Sequence, residues 1–147
     1  MDEAWAFECS VECPVAAEFA WQFWTDPDTW RLDADVDAVE RNGPFAAGTS
    51  GATITRSSGR VEWRIVDVQE GAGAVIEVTV QSAIARFQWT FEDLGERTRI
   101  TQRASLSGEG AADLANQMAA MFEPTMPAGM RKLCEAMAKS ANDVRPD

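Results

Sequence analysis

The sequence predicts an α+β fold with one strand, two short helices, five or six antiparallel strands and a long C-terminal helix. Apolar and polar residues alternate through most of residues 60–106, which is the period of half-buried strands. From Gly110 onward the apolar residues recur at steps of three and four, which is the period of an amphipathic helix. Because the helix follows the strands, we expect it to lie across the sheet that they form.

The first elements are a half-buried strand and a pair of short helices. Trp5–Cys13 alternates apolar and polar residues, and Pro14 then ends the strand and suits the first turn of a helix. That helix is predicted at Val15–Trp24. The residues Thr25–Pro27 cap and begin a second short helical turn, which ends near Trp30. Because this helix pair is almost wholly apolar, we expect it to be buried.

The strands after the helices form a series of hairpins. A turn-rich stretch, Asn42–Gly51, precedes these hairpins. The predicted strands are Ala34–Arg41, a segment with Ile54 and Arg56, Arg60–Val68, Ala74–Gln81, Ile84–Asp93 and Glu96–Leu106. Their common alternation predicts a single antiparallel sheet with one covered face, uninterrupted by repeats or linkers.

The last hairpin determines which side chains face the covered side. A turn around Leu94-Gly95 predicts cross-strand pairs of Phe91 with Thr98, Trp89 with Ile100 and Phe87 with Gln102. The same parity adds apolar residues of the earlier strands, namely Val61, Trp63, Ile65, Ile76, Val78 and Val80. Arg86 and Arg103 fall outside near Glu77, where we expect solvated cross-strand charges. Arg56 is a candidate for an inward position.

The C-terminal helix carries an apolar stripe that is mostly methionine: Leu114, Met118, Met121, Phe122, Met126, Met130, Leu133 and Met137. Methionine adapts to irregular neighbours, so the stripe suggests the wall of a plastic apolar cavity. Ordinary core packing is the alternative. Pro124 and Pro127 each remove a backbone hydrogen bond from this helix. They predict either a break that gates the cavity or a static kink.

Composition and charge narrow the class of protein. The 147 residues, 46% hydrophobic and 25% charged, suit one globular domain at 1–141 with a polar, disordered tail at 142–147. No apolar run is long enough to span a membrane, and the start lacks the basic residues of a signal peptide. We therefore expect a cytoplasmic protein. The net charge of -11 disfavours nucleic acid and membrane surfaces as partners.

Two missing residue types limit the chemistry. The chain has no histidine and no tyrosine, which excludes histidine-containing triads, Cys-His pairs and ordinary zinc sites. The three cysteines have no metal-ligand spacing, and Cys9 and Cys13 lie on one strand, where a bridge is awkward. We expect Cys9, Cys13 and Cys134 to be reduced and buried, and we expect neither a metal nor an organic cofactor.

Several segments resemble a known superfamily over nearly the whole chain. They are Pro14–Trp21, Trp24–Trp30, Gly43–Thr49, Thr98–Thr101 with Gly108, and the final helix with Pro127 and Leu133. On these residues the chain resembles the START-like helix-grip (SRPBCC) superfamily, most closely its polyketide cyclase/dehydrase and small lipid-transport-like branch. The resemblance implies a curved antiparallel sheet of six or seven strands wrapped around the long helix. None of the segments is a catalytic signature.

The resemblance also implies a pocket between sheet and helix, which the superfamily uses for lipids, steroids, polyketides and other apolar compounds. Its expected walls are Trp63, Val78, Phe87, Trp89, Phe91, Ile100, Met118, Met121, Phe122 and Met126, with Trp24 and Trp30 near the mouth. Gln102 lies among them by the hairpin parity, and its amide needs a partner: a ligand, a water or a helix backbone group. Alternatively, the aromatic side chains fill the space.

These observations favour a binding or carrier protein for a small apolar or aromatic molecule, as a monomer or homodimer. Cyclising and dehydrating members of the superfamily generally use pocket Arg, Tyr, His, Ser or Asp, and this chain lacks two of those types. A polyketide cyclase or dehydratase without a metal is therefore the second hypothesis. The third is a protein-interaction module with a filled core, such as an antitoxin-like or chaperone-associated helix-grip domain.

Overall fold

Seven strands and two helices form the described part of the chain, residues 3–26, 36–56 and 59–144 of a computed structural model. In chain order they are β1 (Glu3–Cys13), α1 (Ala17–Thr25), β2 (Val36–Arg41), β3 (Ser50–Thr55), β4 (Gly59–Gln69), β5 (Gly73–Val80), β6 (Ala83–Asp93), β7 (Thr98–Gly108) and α2 (Ala111–Val144). The predicted second short helical turn, begun by Thr25–Pro27 and ending near Trp30, lies outside the described residues from Pro27 onward. Across these ranges, neither helix has an apolar stretch long enough to cross a bilayer.

All seven strands belong to one antiparallel sheet, in the order β1-β7-β6-β5-β4-β3-β2. Register irregularities in β1, β2 and β4 bend these strands. The long helix α2 lies mainly against β1, with smaller contacts to β7 and α1, and α1 packs on β6. The predicted antiparallel sheet of six or seven strands with a long C-terminal helix is thereby confirmed, and both helices lie on its inner, concave face.

The first helix begins two residues later than predicted, at Ala17 instead of Val15. Val15 stays outside the helix because its carbonyl oxygen accepts a 2.8 Å hydrogen bond from the buried hydroxyl of Thr98 on β7. The helix then buries Ala20, Trp21, Phe23 and Trp24. The expected burial of this first helix is confirmed.

The register of the β6-β7 hairpin differs from the prediction by two residues. The structure pairs Phe91 with Ile100, Trp89 with Gln102 and Phe87 with Ala104. The chain turns at Gly95-Glu96 rather than at Leu94-Gly95, because Leu94 N donates to Arg97 O at 2.9 Å and Gly95 has a φ of 96°. Glycine is the residue that adopts this left-handed conformation most readily. Since a shift of two residues leaves the alternation unchanged, the predicted faces are retained.

Two of the three cysteines form a disulfide bond, so the expectation that all three are reduced is wrong. Cys13, at the end of β1, is bonded to Cys134 of α2, with Cα atoms 5.1 Å apart. The pairing is possible because α2 lies along β1, a proximity that the spacing of cysteines along the chain does not reveal. Cys9 is free and half-buried, and its thiol donates to Met130 Sδ at 3.1 Å.

The apolar side chains of the inner face form two clusters. The aromatic cluster, where α1 meets the sheet, consists of the buried rings of Trp21, Trp24 and Phe91, against which the partly buried Phe45 and Trp89 pack. The distal cluster, at the beginning of α2, consists of Ala83, Ala85, Leu106, Ala111, Leu114 and Met118. Between these two clusters the inner face carries side chains that are only partly buried.

Candidate ligand-binding site

The middle of the inner face is apolar but only partly buried. Four of the predicted site residues keep part of their surface accessible: Phe87, Trp89 and Gln102 in the middle, and Val78 at its distal edge, opposite Ala85. In contrast, Phe91 is 5% exposed and Ile100 is 0% exposed. Those two residues, also predicted for the wall, therefore belong to the packed interior, and a ligand would contact the middle of the face instead.

One end of this face is closed by aromatic rings from α1. The ring of Trp24 lies 5.0 Å from Trp89 and 5.3 Å from both Phe45 and Phe91. The ring of Trp21 meets Phe91 edge-on at 5.4 Å. Edge-to-face and tilted contacts of this kind add to the stabilisation that ring burial provides. At this end, aromatic side chains fill the space, and Trp24 is buried.

The opposite end is closed by the beginning of α2. Met118 is 6% exposed and belongs to the distal cluster. The half-buried ring of Phe122 lies 5.6 Å from Phe87 and 6.1 Å from Trp5. Trp5 Nε1 in turn donates to a carboxylate oxygen of Glu123 at 3.0 Å. These contacts fix the rim at which β1 and α2 meet.

Gln102 and Cys9 bring polar groups to the middle of the face, where they oppose each other across β1 and β7. In the described ranges, the side chain of Gln102 has no hydrogen bond to another residue, and no fully buried side-chain nitrogen or oxygen lacks a partner. Burial raises the pKa of the Cys9 thiol, which therefore stays protonated at neutral pH. The Gln102 amide is available to a ligand, whereas Cys9 is not an activated nucleophile.

The long helix supplies the facing wall, with one correction. Met126 is 6% exposed, but Met121, which was predicted for the wall, is 48% exposed. The covered positions advance by steps of four from Met118 to Phe122 and Met126, and this advance turns the apolar stripe away from Met121. Met121 is therefore outside the wall. The remaining predicted residue, Trp30, lies outside the described residues.

The two prolines of α2 do not interrupt it. The helix is continuous through Pro124 and Pro127. The hydroxyl of Thr125 donates to Met121 O at 2.7 Å, which adds a bond beside the sites where proline removes a donor. A break at this point is therefore absent, which disfavours the predicted gate.

Trp63 is held within the sheet. Its indole lies over Gly51 of β3, where an added Cβ would overlap both the Trp63 ring and the carbonyl oxygen of Glu40. Its Nε1 donates to Thr53 Oγ1 at 3.0 Å, and the residue is 6% exposed. Glycine at position 51 makes this close approach possible. The structure therefore places Trp63 in a packed layer of the sheet, beside Val78.

One charged side chain on the inner face was not predicted from the sequence. Arg41 ends β2 and opposes Gly51, which in turn opposes Trp63, so the three share a face. Arg41 is half-buried, and its Nη1 donates to the carbonyl oxygen of Thr25 at 3.2 Å. Arg56, the predicted inward candidate, is instead exposed and paired with an aspartate. Only the register of β2 with β3 reveals Arg41, and the sequence alone does not determine that register.

The outer face carries cross-strand ion pairs whose arginine side chains are exposed. Arg86 pairs with Glu77 at 2.6 Å, as predicted, whereas Arg103 pairs with Glu3 of β1 at 2.6 Å. The side-chain hydrogen bonds from Arg103 are the largest cause that lowers the pKa of Glu3 to about 2. Ion pairs between exposed side chains contribute little stability each.

The sequence matches a protein family over most of its length. The family described as "Polyketide cyclase / dehydrase and lipid transport" covers residues 4–140. No curated protein matches the sequence.

Solved structures share the fold at low sequence identity. Zhui aromatase/cyclase from Streptomyces sp. R1128 is 12% identical, with a TM-score of 0.75 over 92% of this chain and 94% of that chain. Ara h 8.0201 is 14% identical, with a TM-score of 0.71 over 94% and 97%. Norcoclaurine synthase from Thalictrum flavum, solved with dopamine and hydroxybenzaldehyde, is 11% identical, with a TM-score of 0.68 over 97% and 88%. These likenesses confirm the helix-grip fold.

Proposed function

Because this chain belongs to the polyketide cyclase/dehydrase and lipid transport family, we propose that it binds a small apolar or aromatic molecule between the sheet and α2. One observation carries the proposal. Val78, Phe87 and Trp89 pack against the two clusters and still keep part of their surface accessible, whereas the residues at both ends of the face are buried. Mostly apolar walls with a few polar groups are typical of small-molecule sites.

The walls suit ligands that vary in shape. Met126 and Met130 cover the face from α2, and thioether side chains adapt to irregular neighbours. Gln102 supplies an amide that can both donate and accept a hydrogen bond. We therefore propose a lipid-, steroid- or polyketide-like ligand whose body is apolar and which offers at least one polar atom to Gln102.

A polyketide cyclase or dehydratase is the second candidate, favoured by the likeness to an aromatase/cyclase. Such chemistry needs groups that move protons near the reacting atoms. Around Gln102, the inner positions of the neighbouring strands hold Cys9 and Trp89, and the Cys9 thiol is protonated at neutral pH. Binding and release is therefore the better supported function.

Tryptophan emission tests the binding proposal. We expect a saturable change when the protein is titrated with a panel of one steroid, one fatty acid and one anthraquinone. The variant Val78→Phe places a ring in the accessible stretch and should abolish the change. The matched control Ile84→Phe lies on the outer face, at a position that is 40% exposed, and should bind as the wild type does.

Two results would contradict the proposal. One is the absence of a saturable change with every member of the panel, together with no co-purified small molecule in native mass spectrometry. The other is an increase in the melting temperature of Val78→Phe without any effect on binding. Either result would favour the interaction module with a filled interior.

The assembly and the compartment are further parts of the proposal. A monomer or homodimer in the cytoplasm agrees with the sequence, and native mass spectrometry reports the assembly directly. The Cys13–Cys134 bond is a reason to test the compartment, because cytosolic thiol systems keep most protein cysteines reduced. Thiol labelling of the protein in intact cells distinguishes the bonded from the reduced state.

A further inference from the structure

Arg41 is a half-buried, positively charged residue on the inner face of a strongly acidic protein. The chain has a net charge of -11. On the outer face, Arg60, Arg86 and Arg103 each form an ion pair with a glutamate. Arg41 instead lies at the inner end of β2, half-buried, on the same face as Gly51 and Trp63. A cation held on an apolar face requires a physical reason, because removing charge from water is costly.

The guanidinium group is only partly satisfied. Its Nη1 donates to Thr25 O at 3.2 Å, at the C-terminal end of α1, where the unpaired carbonyl groups favour a cation. No carboxylate of the described ranges pairs with it: Glu40 binds Arg60, and Asp37 binds Arg56. Among the described residues, the other N–H donors of this planar group have no acceptor, so they can bind one that arrives from outside the protein.

The surroundings of Arg41 suit a ligand with an apolar body. Thr25, which accepts its hydrogen bond, directly follows Trp24 of the aromatic cluster. The ring of Trp24 lies 5.0 Å from that of Trp89, and Trp89 opposes Gln102 in the accessible stretch.

The strand register connects Arg41 to the accessible stretch more directly, because Arg41 opposes Gly51 and Gly51 opposes Trp63. Trp63 precedes the Arg64–Glu77 pair and therefore lies beside Val78. An anionic group at Arg41 and an apolar body along Val78 and Phe87 would thus lie on one continuous face.

We propose that Arg41 binds the carboxylate of an amphipathic ligand and so makes the site selective for acids over neutral compounds of the same length. This inference rests on the proposed ligand-binding function and names the chemical class of its ligand. A guanidinium group presents parallel donors that match the two oxygens of a carboxylate. Thr25 O holds the group in place, and the ligand's carboxylate takes the free donors.

Binding of decanoate and decanol tests the proposal, since these two probes share a chain and differ in the charged group. We expect the wild type to bind decanoate more tightly than decanol by roughly ten- to a hundredfold, the range for a hydrogen-bonded charge. Arg41→Gln should remove this preference while retaining decanol binding. The control Arg56→Gln alters an exposed arginine of the same sheet and should keep the preference.

A structural role for Arg41 would give a different pattern. If the group only caps α1, Arg41→Gln lowers the melting temperature and weakens both probes equally, which overturns the proposal. Should Arg41→Gln fail to fold, the wild type alone decides, because equal affinities for the two probes also overturn it. If decanol and decanoate bind equally well, the proposed ligand-binding function stands and only the role of Arg41 is overturned. If neither probe nor any compound of the panel binds, both the proposed function and the role of Arg41 are overturned.

Discussion

At Gln102 the chain places an amide between Ile100 and Ala104 on β7, with Cys9 and Trp89 on the neighbouring strands. Its inward position followed from hairpin parity, and that parity is correct although the register was wrong by two residues. The partner of the amide could not be predicted, because it depends on how far α2 stands from the sheet. The absence of a hydrogen bond to the described part of α2 makes Gln102 the residue most directly available to a ligand.

We expect Gln102→Leu to weaken ligand binding by roughly ten- to a hundredfold, since it strands a polar atom of the ligand in an apolar site. The melting temperature should stay the same or rise, because the variant breaks no hydrogen bond between described residues. Titration of both proteins with the panel ligand that binds most tightly gives the affinities.

The matched control is Gln88→Leu, which makes the same change at an exposed position on the outer face of β6. It should leave the affinity unchanged. A fall in the melting temperature of Gln102→Leu with unchanged affinity would show that the amide serves the fold instead of the ligand.

At the scale of elements, periodicity predicted the strands and their faces because alternation is a local property. Contacts between elements were harder to predict, because they depend on residues that are far apart in the sequence. The two-residue shift of the last hairpin depends on the backbone conformation at Gly95, and the exposure of Met121 depends on how α2 rotates along the sheet. The Cys13–Cys134 bond was missed for the same reason, since it depends on α2 lying along β1.

This disulfide should contribute substantially to stability. It joins residues separated by 121 positions, and closing a loop of this length restricts the unfolded chain, which predicts roughly 3–5 kcal/mol in the free energy of unfolding. We expect the double variant Cys13→Ser with Cys134→Ser to melt at a lower temperature in denaturation experiments. Reduction of the wild type should have the same effect.

Cys9→Ser is the control, because Cys9 is free. It removes only the contact of the thiol with Met130, so its melting curve should respond to reductant as that of the wild type does. If a reductant left the wild-type curve unchanged, the bond would be absent or would add nothing to stability.

For the whole molecule, the resemblance implied the helix-grip fold and the family profile agrees with it over residues 4–140. A fold of this kind can be predicted because its apolar pattern extends along the entire chain. The site is harder to predict than the fold. Its accessible stretch consists of the residues that the two clusters leave partly exposed, and how these clusters pack is not apparent from the sequence. Ion pairs on the outer face also connect neighbouring strands across the sheet.

The pair of Glu3 and Arg103 predicts how stability depends on pH. Its hydrogen bonds lower the pKa of Glu3 from 4.5 to about 2, so the folded state favours the ionised carboxylate. The stabilisation is therefore present above pH 4.5 and is lost as the pH falls from there towards 2. We expect Glu3→Gln to melt slightly below the wild type at neutral pH, with the difference vanishing near pH 2.

Melting curves recorded across this pH range measure the effect, which should be small because the pair is exposed. Glu96→Gln, in the exposed hairpin turn, serves as the control for loss of one negative charge. A constant difference between Glu3→Gln and the wild type at every pH would contradict the assignment.

The methionine sulfur atoms of α2 can report how often this helix exposes its buried face. Thioethers take up oxygen from peroxides to become polar sulfoxides. Met121 projects into solvent and will react first, without disturbing the helix, whereas Met126, Met130 and Met137 are shielded beneath it. Because the Cys13–Cys134 bond ties α2 to β1, their oxidation requires the helix to open locally on either side of Cys134. The oxidation rate, measured by peptide mass mapping, therefore reports how often these parts of the helix leave the inner face. A bound ligand that holds the helix down should slow the oxidation of these three methionines and leave Met121 unaffected.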